Sequence, residues 1–400
     1  MPTCRLRRLT SFAAALAAAL AVAPAAPAAD TAATLEVRFY PQRALHLHAL
    51  DDQRGVASAV LQNAAVVNRG DEPVTLAALD LELLAGGAVA QRHPLAGEAL
   101  AAAAARSGRL AASGMVDALV FQFAPEKLLA GARPAGSTTL APGEALLLGH
   151  RVFALQGAGI DALRLTARGS AAGGAAVEAR AELAVVRTAP AAGRRFPLAG
   201  TWTVAAGASL HSHHRWAVPE EFALDLVQVD ARGRTFRTEG AANADFHAWG
   251  APVRAIAGGR VVRVVDRFDD GPILRRQPGE APEAYLGRVQ QAQMALFAQG
   301  LDAIVGNVVV VAHPGGEHSH YAHLQRGSVR VAAGDEVKAG QVVGALGNSG
   351  NSTEPHLHFH VTEGPETLLS AGLPVAFEGI EIALADLPRA LQTGDVVIAE

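Results

Sequence analysis

The sequence predicts a mainly β protein of two domains. The first is an N-terminal immunoglobulin-like β-sandwich; the second is a C-terminal antiparallel β domain with a helical insertion. Three observations predict this. Residues 31 to about 190 break into short alternating or β-branched runs separated by turn signals. The second half continues in β runs but holds one stretch of helical period. Eleven of the 15 histidines fall between residues 211 and 360, so the halves differ in chemistry as well as in pattern. At 400 residues, half of them hydrophobic by type, the chain is long enough for two cores.

Residues 1–29 read as a secretory signal peptide. Arg5, Arg7 and Arg8 precede the apolar run "LTSFAAALAAALAVAP", and "APAAPAAD" offers small-residue cleavage sites before Asp30. The single cysteine, Cys4, precedes the apolar run, so the mature chain has neither a disulfide framework nor a thiol nucleophile. An exported chain without disulfides suits the periplasm or the extracellular space. Lys and Arg number 34 against 38 Asp and Glu, with no basic block, which argues against nucleic acid as a partner. No later stretch is long and apolar enough to suggest a membrane-spanning helix in the mature chain.

From 30 to 190 the strands are expected at "TLEVRFY", "ASAVLQNAAVVN", "VTLAALDLELL", "ALLLGHRVFAL", "ALRLTARG" and "EARAELAVV". The stretch "GEALAAAAARSGRLAASGM" is more helical. The Pro-, Gly- and Ala-rich "RTAPAAGRRFPLAG" makes a linker, placed at 191–204. In the second domain, 205–400, strands are expected at "EFALDLVQV", "PVRAIAGGRVVRVVD", "NVVVVAHP", "HSHYAHL", "QVVGALG" and "HLHFHV". Between them, in "EAPEAYLGRVQQAQMALFAQG", Leu286, Val289, Gln293 and Leu296 recur at helical spacing, with Pro282 in the first turn and Gly300 at the stop. This helix forms an insertion at about 267–305, whose apolar stripe must pack on the far side of the sheet or border a groove.

The chemistry concentrates in three segments. In "NSTEPHLHFHV", His356, His358 and His360 alternate along a strand, which puts them on one face about 6–7 Å apart. That pattern suits a metal site or a polar outer face equally well. "HSHYAHL" supplies His318, His320 and His323. "HSHHRWAVPEEFALDL" supplies His211, His213 and His214, followed by Asp225 between Leu224 and Leu226. A carboxylate on a covered face needs a partner. Two histidines, one aspartate and an open position form a catalytic zinc arrangement, and neutral imidazole with carboxylate suits Zn2+. His46 and His48 also form an H-x-H, in "ALHLHALDD", but nothing accompanies them, and they read as strand surface.

The run "VVVVAHPGGEHSHYAHLQRGSVRVAAGDEVKAGQVVGALGNSGNSTEPHLHFHV" resembles the lysostaphin-type (LytM-like) zinc metallopeptidases, bacterial endopeptidases that cut peptide cross-links in peptidoglycan. The shared features are a His followed by an Asp, a Tyr-x-His-Leu segment, a "G-x-x-G-x-S-G" turn and a His-x-His, over about 205–365. The resemblance implies that the second domain is a zinc metallopeptidase, with His214, Asp225 and His358 as metal ligands and His323 and His356 as catalytic histidines. The spacing from the first His to Asp225 is longer than in the short family form, which leaves His213 as a rival to His214. His360 stands where the family often has Glu or Gln and reads as a groove or surface residue; His313, His318 and His320 read as non-ligands. The implied partner is the peptide portion of peptidoglycan; the N-terminal domain could place the enzyme on a protein partner, block the groove or stabilise the fold, and the sequence does not choose among them.

Other classes fit less well. "GNSGN" departs from the G-x-S-x-G nucleophile turn, and no phosphate-binding loop is present. A catalytically inactive relative that binds cell wall or regulates another hydrolase is marked by a lost ligand, and the ligands are present. "VAAGDEVKAGQVVG" resembles the hairpin of lipoyl carriers, but Lys338 lacks the modification motif.

Overall fold

The structure, a computed structural model, describes residues 34–51, 53–156, 159–188, 191–385 and 389–400. The expected signal peptide, 1–29, lies outside them. In the N-terminal half the strands are β1 (Leu35–Tyr40), β2 (Val56–Asn68), β3 (Val74–Ala85), β4 (Ala88–Ala96), β5 (Glu144–Gln156), β6 (Ala162–Ala171) and β7 (Ala176–Val186). They form two sheets. One runs β1-β2-β5 with Arg133–Pro134 at its edge; the other runs from Ala44–His46 through β7-β6-β3 to β4. Alternation along β2, β3 and β6 sends Leu61, Val66, Leu79, Leu81, Leu163 and Leu165 into one shared core.

Between β4 and β5 lies α1 (Gly97–Ser113), the segment read as helical. Its alanines favour the helix, its buried face is Leu100, Ala103, Ala104 and Ser107, and Gly114 ends it in the left-handed region at φ 69°. Three single turns follow, Met115–Ala118, Val120–Phe123 and Pro125–Leu128.

The C-terminal half centres on a ten-stranded sheet. Its main strands are β8 (Gly200–Ala206), β9 (Leu224–Val227), β10 (Gly259–Val265), β11 (Asn307–Ala312), β12 (His318–Leu324), β13 (Leu357–Thr362), β14 (Ile380–Ala383) and β15 (Val396–Ala399). The spatial order is β10-β11-β12-β13-β9-β8-β15-β14, with these neighbours antiparallel. The stretch expected as a linker is partly built into this body: Phe196 and Leu198 are buried in its core, and Gly200 opens β8.

A period of two gives the sheet two faces. Val309, Val311, Leu357, Phe359 and Val361 enter the large core. On the opposite face Val308, Val310 and Ala322 pack under Ile304 and Val305 of α3 (Leu301–Val305), joined by Leu296 and Phe297 at the end of α2 (Pro282–Phe297). The expected stripe of α2 is covered only at that end, since Leu286 is 63% exposed. The same face meets the N-terminal half. Tyr40, Val67, Phe123 and Leu147 share a cluster with Val218 and Ala371, and Phe121 stacks on Phe297 with ring centroids 5.9 Å apart.

Candidate metal centre

Three adjacent strands bring the site together. β13 lies between β12 and β9, and register places His358 opposite both Asp225 and Ala322. His323 follows Ala322, and His356 precedes β13. His323 adopts φ 58°, a left-handed conformation uncommon outside glycine, where the chain leaves β12. The glycine-rich turn holds that strand end. Gly347 N–H donates to His323 O, Ser349 Oγ donates to Leu324 O, and a Cβ at Gly347 would collide with the Gln325 backbone. Ser349 is thereby a turn clamp. His214 arrives on a short 3-10 turn, His213–Trp216, whose first residue is capped by Ser212; Ser212 Oγ accepts from His214 N–H at 3.3 Å.

Asp225 is the hub. His358 Nδ1 lies 2.9 Å from its Oδ1, His356 Nε2 3.5 Å from the same oxygen, and His214 Nε2 3.3 Å from Oδ2. His323 stands against His356 and His358, with ring centroids 4.9 and 5.7 Å apart. Burial acts to raise the Asp225 pKa, but the surrounding histidines, His214 first, hold it well below the carboxylate range. Burial drives His214 down to about 3 and His323 well below the ordinary imidazole value, so both rings are neutral at pH 7. Burial also opposes charge on His356, but the pull of Asp225 and a hydrogen bond to it outweigh burial and leave His356 raised.

Hydrogen bonds around the hub fix tautomers. His360 Nε2 lies 3.1 Å from the Thr367 carbonyl, an acceptor, so that nitrogen carries the proton. Burial keeps the His360 ring neutral, which leaves its Nδ1 as an acceptor for His358 Nε2–H at 3.0 Å. His358 Nδ1 faces the Asp225 carboxylate at 2.9 Å. His356 Nδ1–H donates to Glu354 O at 2.8 Å, which turns Nε2 toward Asp225. The residues present thus fit a divalent metal of zinc type. His213 stays close as well: ligand atoms of His213, His214 and Asp225 all lie within 4.8 Å of one another, although His213 is exposed and His214 buried.

The structure brings His214, Asp225, His323, His356 and His358 to one cleft of about 790 Å3. It sets His313 and His320 apart. His320 is fully buried between Thr362 and Thr367, and His313 bonds to Gly258 O and Ser319. Two sequence expectations need correction. His360 is fully buried rather than a groove or surface residue, because the 364–367 turn folds back over it. His48 is 4% exposed rather than at the strand surface, because Phe222 and Arg215 of the other half cover it. Glu220 was missed: it lines the cleft with its Oε1 3.9 Å from His358 Nε2. The signal was the pair of acids in "VPEEF", between the first ligands.

The neighbouring Arg215 is wholly buried. Its guanidinium pairs with Glu221 at 2.6 Å and donates to Ser58 O and Oγ of β2, while Gln62 Nε2 reaches Arg215 O. The turn that carries His214 is therefore anchored on the N-terminal half.

Comparison with known proteins gives the following. Residues 284–368 match the sequence model of Peptidase family M23. Over 55 residues the chain is 47% identical to the glycyl-glycine endopeptidase ALE-1 of Staphylococcus capitis, which covers 14% of this chain and 15% of that protein. Over 73 residues it is 37% identical to the peptidoglycan DD-endopeptidase ShyA of Vibrio cholerae, covering 18% and 16%. The matched region thus spans less than a fifth of either relative. Among solved structures, a zinc containing peptidase from Vibrio cholerae aligns over 84% of this chain and 83% of its own at 13% identity and a TM-score of 0.22. The catalytic domain of the prophage-encoded M23 protein EnpA from Enterococcus faecalis aligns over 46% and 95% at 19% identity and a TM-score of 0.27. The matched segment carries His323, His356 and His358, three of the five clustered side chains, so the similarity to Peptidase family M23 falls on the site itself.

Proposed function

We propose that this chain is an exported zinc endopeptidase that hydrolyses peptide cross-links of bacterial peptidoglycan. The observation that carries the reading is the convergence of two buried imidazoles on one carboxylate, His358 Nδ1 at 2.9 Å from Asp225 Oδ1 and His214 Nε2 at 3.3 Å from Oδ2. Zn2+ held by His214, Asp225 and His358 would supply a Lewis acid that polarises the scissile carbonyl and acidifies water. His356, oriented by Glu354 O, presents Nε2 to take up and return a proton. His323, kept neutral by burial, stabilises the developing oxyanion from its ring. The cleft, of about 790 Å3, is lined beyond the histidines by Asn351, Thr353 and Thr367. Export rests on the leader-like first 29 residues and the cysteine-free remainder. Substrate class is supported by the relatives named above, whose names give peptidoglycan or glycyl-glycine endopeptidase activity.

The test is metal content and muropeptide cleavage on the same preparations. Asp225→Ala and His358→Ala lose zinc and activity together, whereas His323→Ala and His356→Ala keep most of the zinc and lose turnover. Among His211→Ala, His213→Ala and His214→Ala, only the last empties the site. Full zinc occupancy in both Asp225→Ala and His358→Ala would overturn the assignment.

A further inference from the structure

A second cavity, of about 560 Å3, opens in the N-terminal half. It shares Met115, Leu119, Gln122 and His150 with the wall of the catalytic cleft, so the two spaces adjoin. His150 holds φ 48° at this junction and sets its ring 5.2 Å from Trp216, on the turn that carries His214. The cavity is lined by apolar side chains, Leu110 and Phe123 among them, and by two guanidinium groups, Arg106 and Arg151.

These two arginines are not accounted for by the fold. Arg151 Nε is buried and has no hydrogen-bond partner. Arg106 is close enough for its charge to act on Arg151, and the direction is repulsive: burial first and Arg106 second push the Arg151 pKa down, with no acid offsetting them. Like charges lining one cavity create a field that an anion relieves. Guanidinium is also the group that binds carboxylate by two parallel hydrogen bonds. A simple inorganic anion would leave the apolar lining unused. A peptide with small aliphatic side chains and a free carboxylate would use both.

We propose that this cavity is a subsite for a carboxylate-bearing stretch of peptide, which Arg106 and Arg151 hold while the adjoining part of the same chain lies at the catalytic histidines. The inference rests on the peptidase reading above, and it assigns to the N-terminal half a share in substrate recognition. Both arginines are at least partly exposed, so replacing them leaves the core intact.

The experiment compares a synthetic peptidoglycan stem tetrapeptide as free acid and as fully amidated peptide. Binding to the full-length protein is measured by calorimetry, for the wild type and for Arg106→Gln/Arg151→Gln. The wild type is expected to prefer the acid about tenfold or more, and the double variant to lose about tenfold of that preference while its zinc content and Tm stay unchanged. Any preference arising at the metal is common to both proteins and cancels. An acid-to-amide ratio that is equal in the two proteins overturns the subsite. Cleavage of a cross-linked muropeptide by the wild type is scored separately. Failure there with the binding difference intact sinks the peptidase reading and leaves the anion site standing; cleavage with no binding difference does the reverse.

Discussion

His360 touches no substrate, yet its hydrogen bonds decide which nitrogen of His358 faces Asp225. Removing the acceptor with His360→Leu frees the His358 ring to flip or change tautomer, and zinc affinity should fall about 10- to 100-fold. His360→Gln, whose amide oxygen can accept, should recover part of it. Competition with a chromophoric chelator measures both. A second residue-scale expectation concerns His48. Burial, then the Arg215 charge, lowers its pKa to about 4 from an ordinary 6.5. Between those values the unfolded chain binds the proton and the folded one does not, so stability rises with pH. The contribution is fully present above pH 6.5 and is lost as pH falls toward 4, for about 3 kcal/mol in all. Urea unfolding at pH 7.5 and at pH 4.5 should show a smaller pH difference for His48→Leu than for the wild type. At this scale the five clustered residues were legible through the resemblance of their motifs to a known metallopeptidase family, since the H-x-H spacing by itself suited a polar strand face equally well. The environment of His360 was not, because no spacing rule says that the Thr367 carbonyl returns to meet it.

Helix α2 shows where reading by element succeeds and where it stops. Pro282 and the period of its apolar residues marked the helix, but the expected stripe from Leu286 to Leu296 is not a buried face. Its covered residues gather at one end, where Phe297 meets Phe121 from the other half of the chain. A contact between segments 176 positions apart leaves no periodic trace in either. The helix lines the cleft through Val289, Gln293 and Phe297. Phe297→Ala should therefore cost about 1 kcal/mol from the stacked pair and raise kcat/KM on a short soluble cross-link peptide, because one side of the cleft is loosened. Unfolding midpoints and steady-state rates check the two halves of that statement; an unchanged rate with reduced stability makes the helix a wall and nothing more.

Across the whole molecule, the strands of both halves followed from alternation and turn residues, whereas the way the halves meet did not. The contact depends on Arg215, read from sequence only as one residue in a histidine-rich loop, and wholly buried between Glu221 and Ser58. Arg215→Met strands Glu221 without its partner, whose pKa burial already raises to about 7. We expect a loss of about 3–5 kcal/mol together with lower zinc occupancy, and a partial return of both in Arg215→Met/Glu221→Gln, read by urea unfolding and metal analysis.

That anchor bears on how such a protein can be cut and rejoined. Ser58 and Gln62 belong to β2 and steady the turn that delivers His214. A fragment beginning near residue 191 would keep every side chain of the metal centre yet lose the floor on which one of them rests. The C-terminal half is therefore a poor cassette for transplantation: shuffled onto a different leading domain, it would carry every side chain of the cluster and hold His214 loosely until a substitute for β2 evolved beneath Arg215.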